Sequence, residues 1–535
     1  MTFQKLENTI GTNILKLEGT MQGNSSSDFD IQYNPSRRTK FLLMGLLLVL
    51  NIIIRIPSIP HEKGYDSFFI HNLANSLTIF GSAKWWISWL SVFGFYPDSY
   101  SSAVPFTLSG MSQVMGIEME KTILLFCIII GIFGICTIYV FAERIYNSFQ
   151  FKYIMSLFFS LAPGLMLFTT WEVSTRGQFI VFFPLFLYIL LKEEFKFKKY
   201  ILLPTCLIFI FSTHHYAFFL VPISIIYISL KAIQNVKPEL FKMSYLNYIL
   251  LVFFLIALTC PFFTGLFISS GSRYTWILNA IITNIRQTGP LVLFIPGGLA
   301  YLFLKKKTFE GMFMCLTITV LAPIFYSQIY GPFVLILISI FIISIAFNNL
   351  LKLMITHKNK LLTIGIVAII LLFVSFSSFY NHYRTGSSDS FWYMQESTYA
   401  SGTWAKNHIP ENARGLDTGM ETSRFFAISE AHPITTSEDI LNLVYGWTNE
   451  SDIVSVKNSP LSLQYYFEGP YSKGGSSFSG QMEWIKYAGT GNNLKNFDYF
   501  IQDKYQYKPI VDKVQIESSL IYDSPRISVW KIPKQ

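Results

Sequence analysis

About eleven apolar runs, each long enough to cross a lipid bilayer, limit what this chain can fold into more than any other feature. The hydrocarbon layer is roughly 30 Å thick, so a helix needs about 20 apolar residues to cross it. We place the spans near residues 41–59, 122–142, 153–171, 178–192, 200–214, 216–233, 246–268, 288–304, 311–328, 331–348 and 361–380. The sequence therefore predicts an α-helical, polytopic membrane protein.

The placement of the basic residues predicts how the spans are oriented. The net charge of +9 does not indicate nucleic-acid binding, because most lysines and arginines lie in short clusters between apolar runs, as at 305–307. Alternate loops are rich in these residues, which stay on the cytoplasmic side because their translocation is unfavourable. We therefore expect a cytoplasmic N-terminus and an extracytoplasmic region after residue 380.

Three regions follow from these patterns. Residues 1–40 are polar and irregular, and we expect them to be a disordered cytoplasmic N-terminus. Residues 41–380 form the membrane domain, with a long outer loop at 60–120 whose aromatic residues predict helices at the membrane interface. Residues 381–535 combine a helical stretch with short strand-like runs, which predicts an extracytoplasmic α/β domain. All five cysteines lie in apolar runs, so that outer domain must be stabilised by its own core.

Two carboxylates near the outer face are the first candidates for chemistry. Asp66 follows the first span, where it could hold a divalent cation (Mg²⁺ or Mn²⁺) against a lipid phosphate or take a proton from an acceptor hydroxyl. It could equally cap the helix that follows it. Glu172, between the third and fourth spans, is a candidate second acidic ligand; alternatively, Arg176 four residues later neutralises it.

Four further polar residues belong to the predicted outer loops. His214 and His215 form the turn between the fifth and sixth spans, where an imidazole could bind metal, donate to a phosphate or simply belong to a polar turn. Arg273 and Arg286 follow the seventh span and could bind a donor phosphate or ordinary anionic lipid. Carboxylates and cations gathered at one bilayer surface suit a reaction on a phosphate-linked lipid headgroup.

The long aromatic first outer loop with Asp66, the acidic Glu172 after the third span and the C-terminal outer domain resemble the GT-C superfamily, above all its archaeal oligosaccharyltransferase-like branch. The stretch from Ser401 to Ala413 also resembles the helix that opens such outer domains. The resemblance implies a polyprenyl-phosphate or polyprenyl-diphosphate sugar donor, and a glycan, lipid or protein acceptor. It further implies extracytoplasmic transfer with inversion at the anomeric carbon. Asp66 would be the base or metal-linked carboxylate and Glu172 the second acidic ligand, with divalent metal used in the oligosaccharyltransferase branch but not in all others.

The chain departs from that branch at its motifs. Neither Asp66 nor Glu172 belongs to a DxD triplet, and Tyr445-Gly446-Trp447 is a poor match to the Trp-Trp-Asp-Tyr-Gly acceptor motif. We therefore predict transfer of a single sugar rather than transfer to Asn-x-Ser/Thr sites. The alternatives are a transporter or flippase for lipid-linked or small polar substrates, and a non-catalytic envelope scaffold. Spans nearly free of charge between their ends favour the transferase over the transporter.

Overall fold

A computed structural model provides the fold of this chain. The structure describes residues 35–533 except 58, 87–88, 96–98, 193–195, 240–243, 265–275, 306–307, 326–330, 357–364, 377–392, 418–419, 434–443, 446–496 and 505–517.

Within the described residues the membrane domain is mostly helical, and every predicted span contains helical structure. The helices are α1 (Arg37–Arg55), α2 (Tyr65–Phe80), α3 (Ala103–Met115), α4 (Met119–Ile145), α5 (Phe149–Ser160), α6 (Pro163–Met166), α7 (Thr175–Leu191), α8 (Lys196–Thr213), α9 (Leu220–Val236), α10 (Ser244–Thr264), α11 (Trp276–Thr288), α12 (Ile295–Leu304), α13 (Phe309–Phe325), α14 (Gly331–Thr356) and α15 (Gly365–Phe376).

Length and burial separate the central helices of this bundle from the peripheral ones. In the described residues, four helical stretches are long and apolar enough to cross a membrane by themselves: Met119–Ile145, His215–Val236, Leu278–Leu304 and Gly331–Leu353. The apolar part of α14 is 83% buried inside the protein, whereas that of α9 is only 28% buried. Helix α14 therefore lies at the centre, packed on α5, α11 and α12, and α9 presents most of its surface outward, as expected for contact with lipid.

The third predicted span is two helices rather than one. Helix α5 ends at Ser160, and the short helix α6 begins at Pro163. Proline disfavours helical backbone in the residue before it, and Ala162 is accordingly extended, with φ −59° and ψ 129°. The break turns the chain before Glu172, so that this residue follows a short helix and a turn rather than the end of a long span.

The long outer loop is helical, as predicted, but its first helix is buried. Residues Ser67 to Leu77 of α2 are all buried, and α2 packs on both α3 and the C-terminal domain. Helix α3 keeps an exposed apolar side that includes Phe106 and Val114, so this helix suits a membrane interface better than α2 does.

The C-terminal domain is α/β, as the sequence predicts. Helices α16 (Glu396–His408) and α17 (Met420–Ser429) pack on a sheet of β1 (Gly415–Asp417), β2 (Tyr499–Asp503), β3 (Ser519–Asp523) and β4 (Ile527–Lys531). The strand order is β1-β2-β4-β3, with β1 parallel to β2 and the other neighbours antiparallel. A core of Ala405, Phe425, Ile501 and Val529 joins the helices to the sheet.

Candidate active site

The segment from His61 to Gly64 leads into α2, and other parts of the chain fix its backbone. The N–H of Lys63 donates to the carbonyl of Trp171 at 3.1 Å, and the N–H of Met394 donates to the carbonyl of Glu62 at 3.3 Å. The loop before Glu172 and the start of the outer domain therefore meet on this connection. Such satisfied backbone groups hold a buried loop in one conformation.

The buried carboxylate of Glu62 strengthens the same connection. It pairs with Nδ1 of His71 at 2.7 Å and accepts a hydrogen bond from the Ser67 hydroxyl at 2.5 Å. The Ser67 oxygen in turn accepts from the N–H of Val173 at 2.9 Å. Glu62 therefore has a structural role, since both of its carboxylate oxygens have hydrogen-bond partners and neither is open to a ligand.

The turn that carries Glu172 is strained. Trp171 has a φ of 51°, a left-handed conformation that costs free energy in residues other than glycine. Its indole N–H donates to the carbonyl of Glu120 at 3.1 Å, which holds the residue in place. The strain directs the side chain of Glu172 inward, where it is only 3% exposed.

Glu172 is enclosed by a lysine and a glycine. The Nζ atom of Lys63, itself only 1% exposed, lies 3.9 Å from Oε2 of Glu172. On another side lies Gly64, with a φ of +90°, and a β-carbon there would come within 2.5 Å of Cδ of Glu172. Only glycine permits both this backbone conformation and this close approach.

Burial shifts the ionisation of this pair. Loss of water raises the pKa of Glu172 to about 7; Asp66 and Glu62 add to the rise, while Lys63 and Arg176 oppose it. Burial likewise lowers the pKa of Lys63, and the charge of Glu172 opposes that shift. Each charge thus opposes the effect of burial on the pKa of the other group, and Glu172 changes its protonation state close to neutral pH. A strongly shifted acid beside a charged partner is typical of functional sites.

The Asp66 carboxylate forms an ion pair with Arg176 and does not cap helix α2. Nη1 of Arg176 lies 2.9 Å from Oδ2 of Asp66, and both side chains are partly exposed. Helix α2 is capped by Gly64 and begins at Tyr65, so the interpretation of Asp66 as an N-cap is wrong. The interpretation that Arg176 neutralises Glu172 is also wrong for the direct ion pair, since Lys63 fills that position.

Arg176 joins the carboxylates to the histidine turn. Its guanidinium lies 5.9 Å from the ring centroid of Phe168 and 5.5 Å from that of Phe333, and the Phe333 ring is 6.4 Å from that of Tyr216. Cation–π contacts of this kind favour a guanidinium held flat over aromatic faces. The arginine is therefore oriented between Asp66 and the end of α8.

The two histidines are more enclosed than a polar turn would be. Nδ1 of His214 accepts from the N–H of Tyr216 at 3.1 Å, and the rings of His214 and His215 lie 4.2 Å apart. Burial lowers the pKa of His214 well below its usual range, with His215 and Arg176 adding to the effect. At neutral pH His214 is an uncharged imidazole, so any contact with a phosphate would be a hydrogen bond rather than an ion pair.

The remaining predicted arginines do not join this cluster. Arg286 lies in the last turn of α11 and is exposed, and within the described residues no ion pair links it to Asp66 or Glu172. Arg273 lies outside the described residues. Both roles remain predictions.

An apolar cavity of about 430 Å³ opens beside the histidine turn. It is lined by Trp89, Phe93 and Phe95 of the outer loop and by Phe211 and its neighbours on α8. The ring of Phe95 also lies 4.9 Å from that of Phe218, in the 3₁₀ turn that begins at His215. A purely apolar groove close to the histidine turn is suited to the hydrocarbon part of a ligand.

The predicted metal site does not fit the charges around it. Within the part of the chain that the structure describes, no three His, Cys, Asp or Glu side chains are grouped closely enough to hold a metal ion. The two predicted ligands each face a basic group instead, Lys63 for Glu172 and Arg176 for Asp66.

Comparison with known proteins connects this arrangement to a fold. No protein-family model matches the sequence, and no curated protein matches it. The structure is similar to that of the oligosaccharyltransferase from Archaeoglobus fulgidus tethered with an acceptor peptide, with 12% identity, coverage of 88% of this chain and 69% of that one, and a TM-score of 0.56. It is also similar to ArnT from Cupriavidus metallidurans bound to undecaprenyl phosphate, with 12% identity, coverage of 93% and 98%, and a TM-score of 0.49.

This chain has the GT-C fold. The resemblance stated from Asp66, Glu172 and the outer domain is thereby confirmed at the level of architecture. The fold and the apolar helices agree with a membrane protein; the orientation of its termini remains a prediction from the loop charges.

Several residues of this polar cluster are not predicted by the sequence. Lys63 lies three residues before Asp66 and was counted only as an outer-loop charge, although a lysine in an otherwise apolar and acidic stretch was a usable signal. Gly64 was visible but its contact with Glu172 was not, since that contact joins segments more than a hundred positions apart. Glu62 and His71 form a pair nine residues apart that no motif announces.

Proposed function

We propose that this chain is an integral-membrane glycosyltransferase that transfers a sugar from a polyprenyl-phosphate-linked donor to an acceptor at the outer face of the membrane. The observation that carries this proposal is that Asp66, in the first turn of α2, and Glu172, in the turn before α7, act on each other within a chain of GT-C fold, each beside a basic side chain. The oligosaccharyltransferase with the same fold supports sugar transfer as the reaction class.

Asp66 is suited to act as the general base. Its carboxylate is 32% exposed, so an acceptor hydroxyl can reach it. In the proposed step the acceptor oxygen forms a bond to the anomeric carbon, the bond from that carbon to the phosphate oxygen breaks, and Asp66 takes the acceptor proton. General-base assistance of this kind contributes roughly 10²–10⁴-fold to the rate.

Arg176 is suited to receive the charge that the leaving phosphate acquires. It is partly exposed, oriented over two aromatic rings and adjacent to Asp66. A guanidinium binds phosphate oxygens through paired N–H donors. Glu172, buried and paired with Lys63, assists as the second acidic group by setting the charge around Asp66.

The apolar groove supplies a place for the carrier lipid. Its walls are aromatic and aliphatic, and Phe211 lies on α8 close to the histidine turn where the site begins. An isoprenoid chain in this groove would bring its phosphate toward Arg176. Each buried methylene would contribute about 0.8 kcal/mol, so a long chain gains affinity without polar contacts.

The test compares retained lipids and sugar transfer in three proteins purified from their native membranes. We expect native mass spectrometry to find a polyprenyl-phosphate sugar on the wild type and on Asp66→Asn, and to lose it in Arg176→Met. We expect transfer, followed as release of the sugar-free carrier, to fall about 100-fold or more in Asp66→Asn.

A matched control is Glu118→Gln, which removes an exposed carboxylate paired with Lys121 outside the site. This variant should behave as the wild type. Retention of bulk phospholipid alone, together with no release of carrier, would contradict the proposal and favour a transporter or scaffold.

A further inference from the structure

The basic side chains at this site occupy the positions that a divalent cation would need. Nζ of Lys63 lies 3.9 Å from Oε2 of Glu172. Magnesium binds carboxylate oxygens at about 2.0–2.1 Å and demands a near-octahedral set of ligands, most of them water. No such shell can form between an ammonium and a carboxylate at that separation, and the ammonium would repel the ion.

The opposite side of Glu172 is closed as well. The backbone of Gly64 lies so near that even a β-carbon there would be 2.8 Å from Oε1 and 2.5 Å from Cγ of Glu172. The carboxylate is thus confined between a glycine backbone and an ammonium. On these two sides a hydrated cation could reach Glu172 only by displacing the lysine side chain or the glycine backbone.

The charge balance points the same way. Glu172 and Lys63 cancel, and Asp66 and Arg176 cancel, so the four groups together carry no net charge when all are ionised. Divalent cations are bound where carboxylates outnumber cations. A divalent cation would add two positive charges to two pairs that already balance, and the one further carboxylate acting on Glu172, that of Glu62, already has partners at both oxygens.

The carboxylate of Glu62, the other acidic group nearby, already has hydrogen-bond partners. The two oxygens of Glu62 are occupied by Ser67 and His71. Nδ1 of His214 accepts a backbone N–H, so that nitrogen is not open to a metal either.

We infer that Lys63 and Arg176 take the place of a divalent cation at this site, and that sugar transfer by this chain needs no metal ion. Arg176 then supplies the charge that meets the phosphate. Lys63 is a positioning residue that fixes Glu172 and keeps its charge. The inference rests on the proposed function for the reaction, but the occupancy of the carboxylates by cations can be tested without it.

The first experiment measures Mn²⁺ binding by electron paramagnetic resonance in the purified full-length chain. Wild type and Glu172→Gln should give the same binding curve up to millimolar Mn²⁺. A wild-type chain that holds one Mn²⁺ which Glu172→Gln lacks would overturn the inference. This result would leave the glycosyltransferase proposal standing.

Replacement of Lys63 tests directly whether its ammonium group takes the place of a divalent cation. Lys63→Met leaves the Glu172 carboxylate without its ammonium, and we expect it to bind Mn²⁺ at least about tenfold more tightly than the wild type does. Lys121→Met removes an exposed lysine from a pair with Glu118 and should gain nothing. If Lys63→Met folds with a near-normal melting temperature and gains no Mn²⁺ site, the lysine does not stand in for a cation.

The reaction itself gives the second readout, which also covers the case in which Lys63→Met fails to fold. Carrier release in native membranes should change by less than about twofold after chelation with EDTA. A loss of more than about tenfold that Mn²⁺ or Mg²⁺ restores would overturn the inference while confirming transfer. Absence of any carrier release would contradict the proposed function instead, and the Mn²⁺ binding curves would still decide the inference.

Discussion

Gly64 occupies a position that needs both a positive φ and a close approach to Glu172. Its φ of +90° is sparsely accessible to any other residue, and its α-carbon packs against the side chain of Glu172. The loop after α1 can therefore approach the acidic turn closely only because this residue has no side chain. The effect of the residue on the site is geometric, since Gly64 contributes no chemical group of its own.

Gly64→Ala should consequently damage both stability and the site. The unfavourable φ costs roughly 1–3 kcal/mol, and the overpacking against Glu172 costs about 1–3 kcal/mol more unless the side chain moves. We expect a lowered melting temperature in detergent and a large loss of carrier release. Gly81→Ala is the control for φ alone, since Gly81 has a φ of +64° with open space around it. Equal losses of activity in the two variants would show that contact with Glu172 is unimportant.

The sequence singles out Asp66 and Glu172 as candidates, which they remain, but it does not predict their ion-pair partners. Asp66 and Glu172 were evident because carboxylates next to long apolar runs are rare and have few structural explanations. The pairing was assigned by sequence distance, which favours Arg176 for Glu172 four residues away. The strained Trp171 reverses that assignment by turning Glu172 inward toward Lys63, and no sequence pattern announces a positive φ at a tryptophan.

At the scale of elements, the spans were predictable because the bilayer fixes their length, whereas their interruptions depend on single residues. Each apolar run corresponds to helical structure, but the run at 153–171 is divided at Pro163 and the run at 288–304 passes through a 3₁₀ segment, Gly289–Phe294. Pro163 indicates a break at this point, but the continuous apolar run around it favours a single span. Which helices lie at the centre of the bundle depends on tertiary packing that hydropathy alone does not report.

The end of α1 is fixed to its neighbours by a buried arginine. Nε of Arg55 donates to the Thr169 hydroxyl at 3.1 Å, and Nη2 donates to the carbonyl of Ser160 at 2.9 Å. Helix α4 carries Gly131 at this contact, where a β-carbon would lie 2.0 Å from Nε of Arg55. The arginine thus ties α1 and α4 to the broken third span and, through Thr169, to the turn before Glu172.

Gly131→Ala should displace the Arg55 side chain and loosen this junction, with a cost of about 1–3 kcal/mol seen as a lower melting temperature in detergent. The same change made in an Arg55→Ala background should cost much less, because the space is then vacant. Gly45→Ala on α1, where a β-carbon would meet nothing within 4 Å, is the control for a helical glycine. Additive losses in the double variant would contradict a direct contact between Gly131 and Arg55.

At the scale of the whole molecule, the outer domain is attached to the membrane domain through α2 and the segment before it. Side-chain amides of Asn72 and Asn75 donate to the carbonyls of Ser423 and Ala427 on α17, at 3.3 and 2.9 Å. The Tyr445 hydroxyl donates to the carbonyl of Asn72 at 2.8 Å. The domain therefore covers the helix whose first turn carries Asp66, so its docking bears directly on the site.

His61 makes one part of that docking sensitive to pH. Its Nε2 lies 2.9 Å from Glu396 on α16, its Nδ1 lies 3.1 Å from Glu120, and its ring stacks on Tyr399 with centroids 4.1 Å apart. Burial lowers the pKa of His61, but the hydrogen bonds to the two carboxylates outweigh it and the net shift is upward. When protonated, His61 therefore bridges the segment before α2, helix α4 and the C-terminal domain.

The sign of the pH effect follows from that upward shift. A histidine whose pKa is higher in the folded state stabilises that state fully below its unfolded pKa of about 6.5, and the contribution is lost as pH rises through the folded value. We expect proteolysis at the start of α16 to accelerate as pH is raised from about 5.5 to about 8.5. The ion pair between His61 and Glu396 should contribute at most about 1 kcal/mol to stability, because Glu396 is 75% exposed and screened by solvent. Salt should weaken the ion pair between His61 and Glu396 and leave the buried pair between His61 and Glu120 intact.

The control variant is His61→Gln, which keeps a hydrogen-bonding side chain without the charge. It should make the rate of proteolysis independent of pH over that range. A pH dependence that persists in His61→Gln would assign the effect to another group.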